Sequence, residues 1–277
     1  MPETYINSLA RVRDGKYKVS LVYPEIGPFL QDSSNTKKRQ ELAVKALRKG
    51  GKINSTLLMK MISLRRVNAQ ILGYKTHVDY VTEVRMARSA KRVSQFLFDL
   101  MEKTEQSARA DIHMLEKRKQ KDFGKKMKVE HYDLAYYFRK SKMELYNIDA
   151  NKVREYFPLK QVKKGTLEIY SRLFSLTFKK VHGVKLWHKD VELYAVKEKK
   201  GALIAYFMLD LYPRKGKYGH AAAFNIVNAR HGGLKATDPY ILPIGCMVAN
   251  FPKPTSTNPS LMSHGEVETF FHEFGHI

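Results

Sequence analysis

The stretch SHGEVETFFHEFGHI, residues 263–277, carries the strongest structural pattern in the chain. Its large apolar side chains recur at i, i+3, i+4 and i+7, a spacing that places them on one face of an α-helix. They are Val267, Phe270, Phe271 and Phe274. Ser263, followed three residues later by Glu266, forms a capping box, which is typical of a helix start. The stretch therefore predicts an amphipathic helix that buries its phenylalanines.

The other side of this helix carries the pattern H-E-x-x-H, formed by His272, Glu273 and His276. Two histidines four residues apart project from one side of a helix and can bind a single Zn²⁺ through their ring nitrogens. The glutamate between them is placed to act as general base on a water molecule beside the metal. Three fixed positions make a short motif, so a surface helix with two solvated histidines is the alternative.

The composition is that of a folded globular protein. Of the 277 residues 43% are hydrophobic, and no apolar run reaches the length of a membrane span. The first residues, MPETYI, lack the basic and then apolar order of a signal peptide. We therefore expect a cytoplasmic protein with no membrane partner. Cys246 is the single cysteine, which excludes an internal disulfide and favours a small buried side chain.

The chain is strongly basic, with 50 lysines and arginines against 27 acidic residues and a net charge of +23. Such an excess raises the hypothesis of a basic helical protein that binds nucleic acid or another anionic surface. The basic residues are, however, spread along every predicted helix and are not concentrated on one element. We therefore favour a solvated basic surface over a nucleic-acid partner.

Helical periodicity dominates the first two thirds of the chain, and strand-like alternation follows it. The pattern predicts helices at residues 37–49, 54–73, 76–120, 133–146, 151–156 and 162–181. It predicts strands at residues 17–23, 191–197, 202–212, 220–227 and 243–251. We therefore predict a mainly α (α+β) fold. Residues 1–186 form its helical region, and residues 187–277 hold a small β-sheet next to the metal-binding helix.

Several longer motifs resemble the zinc metallo-oligopeptidase family of thimet oligopeptidase and neurolysin. The resemblance lies in LDLYPRKGKYGHAA at residues 209–222, MVANF at 247–251 and PSLMSHGEVETFFHEFGH at 259–276. It extends upstream through LGYKTH at 72–77 and EYFP at 155–158. Several motifs in the same order are far more specific than H-E-x-x-H alone, and they cover nearly the whole chain.

The resemblance implies a mostly helical zincin-type endopeptidase whose narrow channel admits short peptides. It implies zinc held by His272, His276 and a glutamate on a later helix, with Glu273 as the catalytic residue. No residue after Ile277 supplies that glutamate. We therefore expect the sequence to be an internal fragment, truncated at both ends, with its third ligand outside this chain. From these residues alone we expect weak zinc binding and little or no peptidase activity.

The small side chains before Phe224 indicate where a peptide substrate binds. If residues 221–224 form a sheet edge facing the cleft, their backbone can pair with an extended peptide by strand addition. We therefore predict that His220, Ala221 and Ala222 are substrate-binding residues, with ordinary sheet packing as the alternative. A third possibility for the whole chain is a non-catalytic interaction protein that keeps the fold without the site.

Overall fold

The computed structural model describes residues 1–232, 239–255 and 259–277. Its helices are α1 Glu3–Ser8, α2 Tyr23–Asp32, α3 Thr36–Leu47, α4 Gly51–Ile71, α5 His77–Thr82, α6 Ala90–Phe123, α7 His131–Tyr146, α8 Ala150–Arg154, α9 Leu159–Phe174 and α10 His264–Phe274. Its strands are β1 Ala10–Arg11, β2 Tyr17–Lys18, β3 Leu176–Val181, β4 Glu192–Glu198, β5 Leu203–Asp210, β6 Ala222–Val227, β7 Arg230–His231, β8 Tyr240–Ile241 and β9 Ile244–Val248. The predicted mainly α (α+β) fold is thus confirmed.

The chain forms two compact units. One comprises residues 1–29 and 143–277, and the other comprises residues 30–142. The predicted division into residues 1–186 and 187–277 stays a prediction. Within the described residues, no helix is both long and apolar enough to cross a membrane.

The unit of residues 30–142 is built from helices whose ends follow the sequence signals. Gly73 adopts φ +83° just beyond α4, the left-handed conformation in which a glycine commonly ends a helix. Thr76 caps α5 by accepting a hydrogen bond from the backbone N–H of Asp79 at 3.1 Å. A break between α5 and α6 lies at Arg88, with φ +64°, and Ser89 caps the 34-residue α6. The long helical region predicted at residues 76–120 is therefore divided between α5 and α6.

A buried ion cluster joins three helices of this unit. The Asp133 carboxylate of α7 accepts hydrogen bonds from Arg39 of α3 and Lys119 of α6, both at 2.7 Å. The three side chains are almost completely buried. Because a buried charge without a partner costs several kcal/mol, roughly 3–5, the cluster fixes these helices against one another.

The unit that contains the chain's end is organised around a five-stranded sheet in the order β3-β4-β5-β9-β6. The β5–β9 pair is parallel, and the other pairs are antiparallel. The predicted hairpin of residues 191–212 is confirmed as β4 and β5, and strands β6 and β9 lie within their predicted ranges. Among the described residues β6 is an edge strand, so one of its backbone edges is paired with β9 and the other pairs with no described strand.

The first edge strand of this sheet, β3, corrects the sequence prediction. Residues 162–181 were predicted as one helix, but α9 ends at Phe174 and residues 176–181 form a strand. Ser175 stands at φ +57°, the left-handed conformation that stops a helix. A serine adopts this conformation much less readily than glycine, so the sequence carries no stop signal there.

The main core lies on one face of the sheet, under α9 and α10. Phe270 and Phe274 of α10 are 0% and 4% exposed and share one cluster with Phe207 of β5 and Met247 of β9. The Phe274 ring meets the Phe207 ring edge to face, with 5.4 Å between centroids. A smaller cluster on the opposite face contains Val191, Met208 and Cys246. The sheet therefore buries its two faces unequally, and the face under α10 is the larger core.

Candidate metal centre

The capping box predicted at the start of α10 is present. The Ser263 hydroxyl accepts a hydrogen bond from the Glu266 N–H at 3.2 Å, and the Glu266 carboxylate accepts one from the Ser263 N–H at 2.7 Å. Of the apolar residues predicted to share one face of α10, Phe270 and Phe274 are buried, while Val267 and Phe271 are half-buried. His272 and His276 are exposed on the other side. The periodicity thus leads to the predicted result, in which the phenylalanines anchor the helix and leave the histidines accessible.

The two histidines lie at the spacing that one metal ion requires. Their Nε2 atoms are 3.3 Å apart, and the rings are inclined at 80°. Two nitrogens that each bind zinc at about 2.0–2.1 Å in tetrahedral geometry lie about 3.3 Å from one another. The same separation suits a hydrogen bond from one ring to the other when no metal is bound. The separation of the two nitrogens therefore matches that of two histidines sharing a zinc ion, and it matches a metal-free hydrogen bond equally well.

The residues that the structure describes contain no group of three or more metal-binding side chains. His272 and His276 would supply two protein ligands, whereas catalytic zinc sites have three. Glu273, between them, is half-buried and opens on the adjacent cleft.

This cleft has a volume of about 450 Å³. It is lined by Ala221, Ala222, Ala223 and Asn225 of β6 and the residue preceding it, and by Glu273 and His276 of the helix region. The predicted substrate residues Ala221 and Ala222 therefore lie beside the predicted catalytic glutamate. His220 does not line the cleft; its ring lies near those of Tyr23 and Tyr218. The roles of all three remain predictions.

Two glycines allow close packing at the carboxyl end of α10. A Cβ at Gly275 would lie 3.2 Å from the His272 carbonyl oxygen and 3.5 Å from the Tyr170 hydroxyl of α9. A Cβ at Gly245 of β9 would lie 3.2 Å from the side chain of Ile277. These contacts leave little room for side chains at either position. The carboxyl end of α10 therefore packs closely against α9 at Gly275 and against β9 at Ile277.

A second buried ion cluster lies where the chain leaves β5 and turns towards β6. The Asp210 carboxylate, 2% exposed, accepts two hydrogen bonds from Arg214, both at 2.7 Å, and one from the Trp187 ring nitrogen at 3.0 Å. Lys217 Nζ lies 2.9 Å from the same carboxylate. Burial alone raises the pKa of Asp210, but the hydrogen bonds from Arg214, Lys217 and Trp187 outweigh it and lower the pKa to about 2.

Lys217 also joins the backbone at the ends of β5 and β9 through three carbonyl groups. Its ammonium group donates to the carbonyl oxygens of Asp210 at 2.8 Å, Tyr212 at 2.7 Å and Ala249 at 2.5 Å. Burial lowers its pKa, although the hydrogen bond to Asp210 opposes that shift. The Asn250 side chain donates to the carbonyl of Tyr218 at 2.9 Å. The loop 213–220 is therefore fixed at the point from which edge strand β6 departs.

Sequence reasoning missed Asn225 and this ion cluster. Asn225 pairs with Gly245 across β6 and β9, and only that register places it on the cleft side. Asp210, Arg214 and Lys217 stand four and three residues apart, in a motif that the resemblance already quoted. Their mixed charges within one loop were a usable signal for an ion cluster, whereas Asn225 had none.

Comparison with known proteins places this geometry in a family. The sequence profile of peptidase family M3 matches residues 29–277, which is most of the chain. The chain belongs to peptidase family M3. The match includes α10, the histidine pair and the strands of the cleft, so the resemblance to zinc oligopeptidases is confirmed at the level of the family.

Three proteins similar to this chain are Saccharolysin, a thimet-like oligopeptidase and oligopeptidase A. Saccharolysin of Saccharomyces cerevisiae is 33% identical over 100% of this chain and 41% of its own length. The thimet-like oligopeptidase of Dictyostelium discoideum is 32% identical over 96% of this chain and 40% of its own length. Oligopeptidase A of Escherichia coli is 30% identical over 100% of this chain and 42% of its own length. The chain therefore spans about two fifths of these relatives.

Proposed function

We infer that this chain carries the zinc-binding helix and the peptide-binding edge strand of a zinc-dependent oligopeptidase that hydrolyses short peptides. The observation that supports this most strongly is the His272–His276 pair, with 3.3 Å between Nε2 atoms, on a helix whose Glu273 faces the cleft beside β6. Membership of peptidase family M3 and the names of the relatives support the same reaction class.

The proposed division of roles follows from the positions of the side chains. When bound, zinc supplies a Lewis acid that polarises the peptide carbonyl and lowers the pKa of water. His272 and His276 hold the metal. The Glu273 carboxylate takes the proton of the attacking water and passes it to the leaving amine. Since no third ligand lies among the described residues, we expect weak zinc binding and little cleavage by the 277 residues alone.

Peptide binding is assigned to the edge strand. The free backbone edge of β6 offers N–H and carbonyl groups to an extended peptide, and Ala221, Ala222 and Ala223 leave that backbone accessible. Main-chain pairing binds peptides of many sequences, because it reads no side chain. His220 lies next to this strand and is proposed to contact the peptide from the face opposite the cleft.

Zinc affinity tests the metal assignment directly. We expect His276→Ala to weaken zinc binding by at least about tenfold, because it removes one of two ligands, while Glu273→Gln leaves both. Competition with a chromophoric chelator measures both effects. His264→Ala is the matched control, because His264 is an exposed histidine at the other end of the same helix. Equal losses in His264→Ala and His276→Ala would show that zinc binds elsewhere.

Peptide cleavage tests the expectation about activity. A quenched fluorescent oligopeptide is incubated with the zinc-loaded chain and with Glu273→Gln. We expect little hydrolysis by either. Robust cleavage by the wild-type chain that Glu273→Gln abolishes would support the reaction assigned to Glu273 and contradict the expectation that these residues alone are nearly inactive.

A further inference from the structure

An exposed group of aromatic rings lies on the far face of edge strand β6. Its members, called here the aromatic patch, are Tyr23, Tyr218, His220 and Phe224. Tyr218 meets Phe224 edge to face at 5.9 Å between centroids, and His220 lies 5.9 Å from Tyr218 and 6.2 Å from Tyr23. Phe224 is 42% exposed, Tyr218 53% and Tyr23 66%. Single exposed apolar residues are common, but a continuous group of rings indicates a binding surface.

The sheet register shows which way Phe224 points. Phe224 lies opposite Cys246, which belongs to the small cluster on the face away from α10. Ala223 lies opposite Met247, which packs with Phe270 and Phe274 under α10. Because successive side chains of a strand alternate between its faces, Phe224 points away from the helix. The aromatic patch and α10 therefore flank the same edge strand, β6, from opposite faces.

We propose that the aromatic patch is a specificity subsite that binds a large apolar or aromatic side chain of the peptide paired with β6. This inference rests on the proposed function, since it requires strand addition at that edge. A peptide strand alternates in the same way as β6, so every second side chain faces the patch. The residues between them face α10 and Glu273. In the bound peptide, the apolar residue in the patch is thus adjacent in sequence to a residue that faces α10.

The chemistry of the patch selects the class of side chain. Its exposed members are rings, which offer flat apolar surface and edge-to-face contacts at little cost in conformational entropy. The patch contains no carboxylate or ammonium group, because its four members are two tyrosines, a histidine and a phenylalanine. A phenylalanine or leucine side chain gains from burial there, whereas an aspartate loses hydration and finds no lysine or arginine among the four members of the patch.

A peptide series tests the inference on the 277-residue chain in the presence of zinc. Fluorescently labelled seven-residue peptides are identical except for a central Phe, Leu, Ala or Asp, and anisotropy measures each Kd. We expect the Phe peptide to bind about tenfold more tightly than the Ala peptide, in keeping with partial burial of one aromatic side chain. The Leu peptide falls between them, and the Asp peptide binds most weakly.

Substitutions locate the effect. Phe224→Ala and Tyr218→Ala are expected to bring the preference for Phe over Ala close to one, while the Ala peptide keeps its Kd. Tyr218→Phe, which keeps the ring, retains the preference. Tyr156→Ala is the matched control, because Tyr156 is 81% exposed and lies outside the patch.

The outcomes separate this inference from the proposed function. Zinc binding and peptide binding with equal affinity for Phe and Ala overturn the subsite and leave the oligopeptidase assignment standing. A preference that survives both alanine substitutions, or that Tyr156→Ala removes equally, also overturns it. Zinc binding without any peptide binding overturns the subsite and strand addition together, whereas the chelator competition still decides the metal assignment.

Discussion

At the scale of single residues, Asp210 is the clearest case of a charge held by its surroundings. Its carboxylate is buried, yet two cations and a ring N–H lower its pKa from 3.8 to about 2. The folded pKa lies below the unfolded one, so the stabilisation is fully present above pH 3.8 and is lost as the pH falls through about 2. A shift of this size corresponds to about 2 kcal/mol.

The lowered pKa of Asp210 predicts how the stability of the protein depends on pH. As the pH falls from about 4 to about 2, the free energy of unfolding of the wild type is expected to fall towards that of Asp210→Asn, because the variant has no carboxylate to protonate. Urea unfolding followed by circular dichroism at several pH values measures the difference. Asp111→Asn removes an exposed aspartate and serves as control. A constant difference between wild type and Asp210→Asn across this range would contradict the assignment.

The site residues differ in how far the sequence could reveal them. His272, Glu273 and His276 could be proposed as site residues because the spacing within one helix fixes their positions relative to each other, and their roles stay predictions. Asn225 was not found, because its place in the cleft depends on which residue of β9 it pairs with. Local geometry follows from spacing along the chain, whereas contacts between distant segments follow from register, which the sequence pattern alone does not specify.

At the scale of elements, the loop between β5 and β6 connects the Asp210 cluster to the cleft. Lys217 binds three backbone carbonyls at the ends of β5 and β9, and Asn250 binds the Tyr218 carbonyl just before β6. An edge strand is paired on one side only, so its backbone depends on such anchors for order. These residues therefore position the strand to which the peptide is proposed to bind.

Lys217→Met tests this positioning role. Methionine has a similar length but donates no hydrogen bond, so we expect faster hydrogen exchange at the amides of β6 and unchanged exchange in α10. Mass spectrometry of peptic fragments measures both elements. Lys215→Met, at an exposed position of the same loop, is the matched control. If Lys217→Met destabilises the whole unit, Asn250→Ala tests the same anchor from the exposed side; unchanged β6 exchange in that variant would disprove the role.

Local sequence signals explain why α10 was predicted correctly and β3 was not. The start of α10 has a capping box and its body a clear 3.6-residue period, so local and tertiary preferences agree. Between α9 and β3 the apolar residues Phe174, Leu176 and Phe178 continue without Gly or Pro. The change from helix to strand depends on Ser175 in the left-handed region and on pairing with β4. Tertiary pairing decided that element, and its partner lies far along the chain.

At the scale of the whole chain, the order of strands could not be read from the sequence. Consecutive strands usually pair, yet β9 lies between β5 and β6 and is parallel to β5. This insertion makes β6 an edge strand and brings it beside the end of α10. The composition and the periodicity predicted a globular α+β protein correctly, but the function proposed for β6 depends on this topology.

Two properties of the whole chain oppose one another in solution. A net charge of +23 makes molecules repel, whereas α4 exposes large apolar side chains that favour association. Among them Leu57 and Leu64, seven residues apart on one face, are 57% and 58% exposed. Salt screens repulsion between charges, with a Debye length of about 8 Å at physiological ionic strength, and leaves apolar attraction in place. Self-association should therefore increase with salt.

Analytical ultracentrifugation between about 0.05 M and about 0.5 M NaCl tests this prediction. We expect larger species at high salt, and we expect Leu57→Glu combined with Leu64→Glu to suppress them. Lys60→Glu changes the net charge by the same two units without removing an apolar side chain, so it is the matched control.

Binding of nucleic acid, the alternative reason for the positive charge, has the opposite dependence on salt, because it releases counterions and weakens as the salt concentration rises. A chain that stays monomeric at every salt concentration, and that binds DNA tightly only at low salt, would favour that alternative.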